Sequence, residues 1–453
     1  MEPSTTNREI VIGNYDAWYQ SIHAEYSDRY PLYEMIYRCP HSNDPLEVRH
    51  DLDQLRCKSA DEWKSVFAER WCQSTGSFSS GVWSKKEWVC PGLDNENIVS
   101  IGEGRTPLFN ASPWAKAVGV KQLLIKLCGN SHTGSFKDLG MTVLVSMVKQ
   151  MRARGKKIKA VVCASTGDTS AALSAYCAVA NIPSMVLLPR DKISTAQLIQ
   201  PIANGALTLA LDTDFDGCMQ VAQQLTESKE IYLANSLNSL RIEGQKTAGM
   251  EMVQQLDWKT PDWVIVPGGN LGNISAIGKG LLEMKAVGLI ERLPRLVCAQ
   301  AKNANPLYES YLNGFVEFKS KTANETLASA IRIGAPVSVK KAIRTLKEFD
   351  GIVEQADEDE LANAAAFADR YGLFCCPQTG VALAAFLKLV EKKEIKPDEQ
   401  VVVISTAHGL KFTDMKVRYH ERRLAGLRAI KANQPLELPA DVDAVLAAFQ
   451  ERF

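Results

Sequence analysis

The chain has 453 residues, with 52 Lys plus Arg against 52 Asp plus Glu, so the formal net charge is zero with histidine neutral. That balance argues against a general nucleic-acid binder, which needs a basic excess or stripe. The 46% hydrophobic and 23% charged contents exclude disorder throughout, and no apolar run reaches the roughly 18 residues of a membrane span.

Residues 1–10 have no apolar signal core, are not Arg-rich, and include Glu2 and Glu9. Neither a secretory signal nor a transit peptide is expected, and the expected location is cytoplasmic. The eleven cysteines are an odd number, and Cys163, Cys177 and Cys298 sit in apolar stretches. That pattern suits reduced thiols better than a disulfide framework.

At about 150 residues per domain, the length suits about three domains. Six of the eight tryptophans fall in the first 114 residues, and residues 1–100 read as an N-terminal module with few clean strands. Its Cys39, Cys57, Cys72 and Cys90 form no C-x-x-C pair, so no metal is expected. From residue 101 short aliphatic runs alternate with helical patterns. Strands are predicted at 123–127, 160–164, 185–188, 207–211, 263–266, 296–299 and 401–405, and helices at 138–154 and 361–371. Several strands are apolar on successive residues, as parallel strands covered on both faces are. The expected fold class is therefore α/β with parallel sheets. Asp357-Glu358-Asp359-Glu360 reads as a helix start that complements the dipole. The basic run from Arg152 to Lys159 reads as a helix end with a turn at Gly155. Residues after 425 read as a helical tail.

Three turns rich in glycine and hydroxyls follow predicted strands. In Gly129-Asn130-Ser131-His132-Thr133-Gly134-Ser135-Phe136-Lys137-Asp138 the chain enters a helix that Ser135 or Asp138 could cap. Lys137 then sits at a helix N-terminus, whose dipole lowers the amine pKa and favours a nucleophile or base. Ser165-Thr166-Gly167-Asp168-Thr169-Ser170 offers amides and hydroxyls to an anion at a helix head. Pro267-Gly268-Gly269-Asn270-Leu271-Gly272-Asn273 could close its backbone on a phosphate. Its G-G-x-x-G spacing is not a dinucleotide fingerprint, and the next strand ends at Gln300 with no acidic residue for a ribose. A reactive lysine plus a phosphate cup points to pyridoxal 5'-phosphate.

The stretch 131–140 resembles the Schiff-base motif of the threonine synthase family, which has the fold-type II pyridoxal-phosphate architecture (tryptophan synthase β-like). The resemblance continues at Gly81-Val82-Trp83-Ser84-Lys85-Lys86-Glu87-Trp88, through 164–172, Asn235-Ser236-Leu237-Asn238-Ser239-Leu240-Arg241, 267–273 and Ser405-Thr406-Ala407-His408-Gly409-Leu410-Lys411-Phe412. It is closest to the plant-type branch. It implies two α/β lobes, a large cofactor-binding one over 101–150 and 245–425 and a small one over 151–244, with a tail over 426–453. It also implies that Lys137, beside Phe136, holds the cofactor and moves protons. By the same resemblance Gly268, Gly269, Asn270, Leu271, Gly272 and Asn273 hold the cofactor phosphate, and Thr406 meets the pyridine nitrogen. Ser165, Thr166 and Thr169 would grip the substrate carboxylate, and Asn235, Ser236 and Arg241 the substrate phosphate. Asp168 stands where many bacterial members have Asn near the cofactor 3′-oxygen, so it must turn away or one group must stay protonated.

The implied reaction converts O-phospho-L-homoserine and water to L-threonine and phosphate. The alternative is a dehydratase or β-replacing synthase of the same fold, which needs no second phosphate site. Plant-type relatives also suggest a homodimer activated by S-adenosylmethionine, with residues 81–88 as either the candidate interface or a buried structural strand.

Overall fold

The structure is a computed structural model that describes residues 15–190 and 195–452. Residues 1–10, expected to carry no targeting signal, lie outside the described residues. The strands, in chain order, are β1 (Ala17–Gln20), β2 (Tyr30–Pro31), β3 (Glu47–His50), β4 (Leu108–Asn110), β5 (Gln122–Leu127), β6 (Ala160–Ala164), β7 (Ser184–Pro189), β8 (Leu207–Leu211), β9 (Ile231–Leu233), β10 (Trp263–Pro267), β11 (Arg295–Ala301), β12 (Ile352–Ala356) and β13 (Gln400–Ser405). They form three sheets, ordered β2-β1-β3, β12-β11-β10-β13-β5-β4 and β8-β7-β6-β9. The four-stranded sheet is all parallel, and the six-stranded sheet is parallel except for its edge strand β4.

Helices cover both faces of the six-stranded sheet, which explains the continuous apolar runs. Alternate residues divide between two cores. Val264, Val266, Leu296 and Cys298 join one cluster with the helices Lys137–Ala153 and Gly272–Val287. Trp263, Ile265, Val297 and Ala299 join the other with the helices Glu358–Asp369 and Pro377–Glu391. The acidic run does start a helix: Asp357 and Glu360 form a reciprocal capping box.

Strands β9 and β12 escaped the sequence reading because each is short or carries polar residues (Glu354, Gln355). So did β1 to β3, whose antiparallel pairs make a small sheet in the Trp-rich segment. Trp63, Trp83 and Trp88 are core, whereas Trp18 and Trp71 are half-buried. Trp63 lies 5.5 Å from Trp88 and 5.6 Å from Phe67, ring centre to ring centre. Tyr19, Trp63, Trp83 and Trp88 belong to the same hydrophobic cluster as Val264 and Leu144 of the α/β body. For residues 81–88 the burial favours the structural reading over the interface, in helical turns and not a strand. Val82, Trp83, Ser84 and Trp88 are fully buried in two short helical turns, and the Trp83 indole donates to Thr142 Oγ1 at 2.7 Å. A segment consumed by its own core presents no face to a partner.

No helix among the described residues is long and apolar enough to cross a membrane. All eleven cysteines are free.

Candidate active site

The pocket lies at the carboxyl ends of parallel strands, where β10 and β13 diverge in their connections. Its lining includes Lys137, Asp168, Ser236, Arg241, Asn273 and Thr406, drawn from segments far apart in the chain.

Lys137 is placed by a zipper between its loop and the end of β13. Phe136 N–H donates to Thr406 O at 2.9 Å, and His408 N–H donates to Gly134 O at 2.9 Å. The approach demands glycine at 129, where a Cβ would meet the Ala407 and His408 backbone at 2.4 Å. Asp138 does not cap the helix, and the cap residue is Phe136, with no side-chain bond; the Ser135 hydroxyl accepts from the Lys137 N–H at 3.4 Å. Asp138 instead pins the loop. Its fully buried carboxylate accepts from the Thr133 N–H at 2.8 Å and from the Ser131 and Thr133 hydroxyls.

The Lys137 amine is lowered to about 7. Burial is the first cause and the nearby Arg241 cation the second, with Asp168 pulling the other way. Lys137 is the first residue of its helix, as expected, and to that placement the structure adds burial and a neighbouring cation as causes of the lowered pKa. Its Nζ has no ion-pair partner among the described residues and lies 4.3 Å from the Phe136 ring centre.

The cup follows β10. Gly268 N–H is spent on Ala299 O at 2.7 Å, and a Cβ there would strike Cys298 Sγ at 2.4 Å. Gly268 therefore anchors the turn and lies outside the pocket lining, whereas Gly269, Asn270, Leu271, Gly272 and Asn273 line it. Leu271 takes a left-handed conformation at φ 63°, just before the helix Gly272–Val287. Such backbone is costly for a branched side chain, and it aims the free first-turn N–H groups at the pocket.

Arg241 is only 3% exposed. It donates to Ala234 O at 3.0 Å and Thr169 Oγ1 at 3.5 Å, while its Nε has no partner. Burial pulls its pKa down to about 10. Asp168 lines the pocket, and its Oδ1 lies 3.3 Å from Lys411 Nζ. Lys411 also donates to Thr133 O at 2.9 Å and Gln200 Oε1 at 2.7 Å, tying three loops together.

Several predicted residues lie behind the lining. Ser165, Thr166 and Thr169 sit partly exposed on the turn before and within the helix Asp168–Val179. Asn235 accepts at Oδ1 from Ala164 N–H and donates from Nδ2 to Ala164 O, both at 2.9 Å. It braces the end of β6 with one bond on each amide atom, which leaves one Nδ2 hydrogen over. Conversely, sequence reasoning missed Gln378, Gln245, Ile242 and Ile331. Gln378 is 2% exposed and leaves both amide atoms unpartnered.

Three buried side chains thus leave polar atoms idle in one pocket: Asn273 Nδ2, Gln378 Oε1 and Nε2, and Arg241 Nε. Buried polar groups are rarely left unpaired, so these await a polar ligand. Residues 99–407 match the family model described as pyridoxal-phosphate dependent enzyme. The chain belongs to the pyridoxal-phosphate dependent enzymes, in their threonine synthase branch.

Among its relatives in the branch, it is 53% identical to "Threonine synthase 2, chloroplastic" of Arabidopsis thaliana over 427 residues, covering 94% of this chain and 83% of that one. It is 36% identical to a threonine synthase of Methanocaldococcus jannaschii, covering 93% and 97%. Among solved structures, the Escherichia coli threonine synthase overlays with a TM-score of 0.61 at 22% identity, over 89% of this chain and 90% of that one. Processed threonine deaminase isoform 2 of Solanum lycopersicum overlays at 0.59 and 18%, over 82% and 95%. These two likenesses show a shared fold.

The pocket fits the pyridoxal-phosphate dependent family's cofactor. A near-neutral amine, an N–H cup and the Thr406 hydroxyl stand around one space. Among the described residues no carboxylate bonds Thr406, and its Oγ1 has the Cys376 thiol alone, at 3.7 Å.

Proposed function

We propose that the protein converts O-phospho-L-homoserine and water to L-threonine and phosphate. One observation carries this reading: a single pocket combines the Lys137 amine, a backbone cup for one phosphate, and the buried Arg241 with an idle donor for a second. Bound pyridoxal phosphate supplies an aldehyde for amines and a ring that acidifies the carbons next to the captured nitrogen.

The chain's own residues do the rest. With a pKa of about 7, Lys137 Nζ is present both free and protonated near neutrality, so it can take a proton from one carbon and return it to another. Arg241 presents a guanidinium to the substrate phosphate, favouring its departure, and Ser236 adds a hydroxyl beside it. The same cation adds to burial in lowering the Lys137 pKa, so the free amine is populated near neutrality. The turn at Ser165, Thr166 and Thr169 offers hydroxyls and a helix head to the substrate carboxylate. Lys411 offsets the Asp168 charge, so Asp168 can border the cofactor without simple repulsion. Asn235 acts through the turn it braces.

Purified protein given phosphohomoserine should release phosphate and threonine together. Arg241→Leu should lose this turnover while retaining bound cofactor. A dehydratase or β-replacing enzyme has no need of a second phosphate site, and indifference to that substitution would favour it. The assembly we propose is a cytoplasmic homodimer with S-adenosylmethionine as activator. Free thiols support a reducing compartment, and cell fractionation decides between cytoplasm and the chloroplast named for the Arabidopsis relative. Sedimentation tests the dimer. Calorimetry with S-adenosylmethionine tests the activator, and no heat with no rate change removes it.

A further inference from the structure

Behind the catalytic pocket lies a second cavity of about 420 Å³, larger than the pocket's own 70 Å³ or so. It is walled by β3, the helix Leu240–Gln245, the helix Gly272–Val287 and the helix Val339–Glu348. Its apolar surface comes from Val48, Leu52, Ile242, Leu282 and Ala286.

The charges around it are almost all satisfied. Glu243 and Glu283 share Lys246, whose Nζ lies 2.6 Å from each and 3.1 Å from His50 Nε2. His50, Glu243 and Glu283 are the only group among the described residues spaced to hold a metal, but the Lys246 ammonium already occupies the place of the ion. Glu47 is matched by Arg49 and Arg344. Two buried groups are left over. Lys341 is 7% exposed and bonds only neutral oxygens, Leu46 O at 2.7 Å and Ser239 Oγ at 3.3 Å, with no carboxylate in ion-pair range among the described residues. His50, 8% exposed, has an unpartnered Nδ1. The His50 Nε2 donates to the Glu243 carboxylate, which leaves Nδ1 a lone pair with nothing to give an anion, but a buried ammonium without an ion-pair partner, beside an apolar wall, is an incomplete site for a negative charge.

We infer that this cavity binds a small organic anion, a carboxylate or phosphate monoester on an apolar body, with Lys341 as its counter-charge. Burial and the Lys279 and Arg344 cations hold Lys341 at about 8 against the pull of Glu47 and Glu243, so it is charged at neutral pH. The site is mechanically joined to the catalytic pocket. Ile242 lines both spaces. The helix carrying Lys341 hangs from the phosphate cup, with Ser338 N–H donating to Asn270 O at 3.1 Å. The helix Gly272–Val287 starts at the cup and presents Ser275, Lys279 and Glu283 to the cavity. A ligand pressing on these elements bears on the cup, and the coupling must be reciprocal.

The test is calorimetric titration of cofactor-loaded enzyme with two probes, phenylacetate and phenyl phosphate, whose relative affinities tell carboxylate from phosphate. Saturable binding of at least one is expected. It should weaken about tenfold or more in Lys341→Met, survive in Lys341→Arg, and be unchanged in Arg241→Met. No saturable heat in the wild type overturns the inference. So does wild-type affinity in Lys341→Met, or a loss confined to Arg241→Met, which would put the probe in the catalytic pocket. Should Lys341→Met fail to fold, Ala286→Trp narrows the cavity with every charge in place, and undiminished binding there also overturns the site. Cofactor retention during dialysis reads the coupling: saturating probe should change it, and unaltered retention removes the link to the cup.

Discussion

The helix Leu240–Gln245 sends two charges, two residues apart, into different surroundings. Glu243 is fully buried, and burial alone would raise its pKa; Lys246, Lys279 and His50 together outweigh that and hold it well below the carboxylate range. Arg241 is nearly as buried but bonds only neutral oxygens and leaves Nε idle. The first charge is completed inside the chain and is structural. The second is left open and is functional. What separates them is the state of their partners, since burial is the same for both.

The largest effect tests the functional pole. Lys137→Ala should lower threonine formation by about a thousandfold or more and abolish the absorbance band of lysine-bound cofactor. A variant that keeps full activity would place the chemistry elsewhere.

Next comes the structural pole. Glu243→Leu leaves two cations, Lys246 and Lys279, to Glu283 alone and should cost about 3–5 kcal/mol in urea unfolding, as removing one partner of a buried cluster does. Because the folded pKa of Glu243 is depressed, its contribution is fully present above the unfolded value of about 4.3 and is lost as pH falls below it. The variant should lose that acid slope; a wild-type slope would mean the cluster is not what holds the carboxylate ionised.

Arg241→Leu should reverse the pattern. Unfolding stability should change little, while kcat/KM for phosphohomoserine falls by about a hundredfold. Arg241 also depresses Lys137. Uptake of pyridoxal phosphate by cofactor-free enzyme, which needs the neutral amine, should rise with pH through about 7 in the wild type. Its midpoint should move upward once the cation is gone. An unmoved midpoint would leave burial as the whole cause.

The smallest effect concerns Gln378. Its amide bonds nothing in the chain, so Gln378→Ala should weaken cofactor or substrate binding by about 1–2 kcal/mol without lowering stability. A stability loss with binding intact would move Gln378 to the structural side.

The strands and the three turns were legible because their signals are local. An apolar run such as 160–164, or a lysine at a hydroxyl-rich helix start, carries its meaning in neighbouring residues. Short β9 and the polar β12 lack such a run and take their form from the strands they pair with. Gln378 sits in an ordinary-looking Cys-Pro-Gln-Thr stretch, and only the packing of its helix against β13 turns it into the pocket. Asn235 shows the same dependence on packing: its motif borders the site, and only the structure shows its amide bracing Ala164.

By itself the sequence determined which residues could do the chemistry, because glycine turns, hydroxyl clusters and lysine at a helix head depend on local backbone freedom and side-chain type. Only the tertiary structure decided why Lys137 is near-neutral, which charges are matched, and that a second cavity lies behind the cup. Those properties depend on burial and on partners hundreds of residues away, such as Arg241 for Lys137 and Lys411 for Asp168. Electrostatic energy follows distance and solvent access in space, and neither is written along the chain.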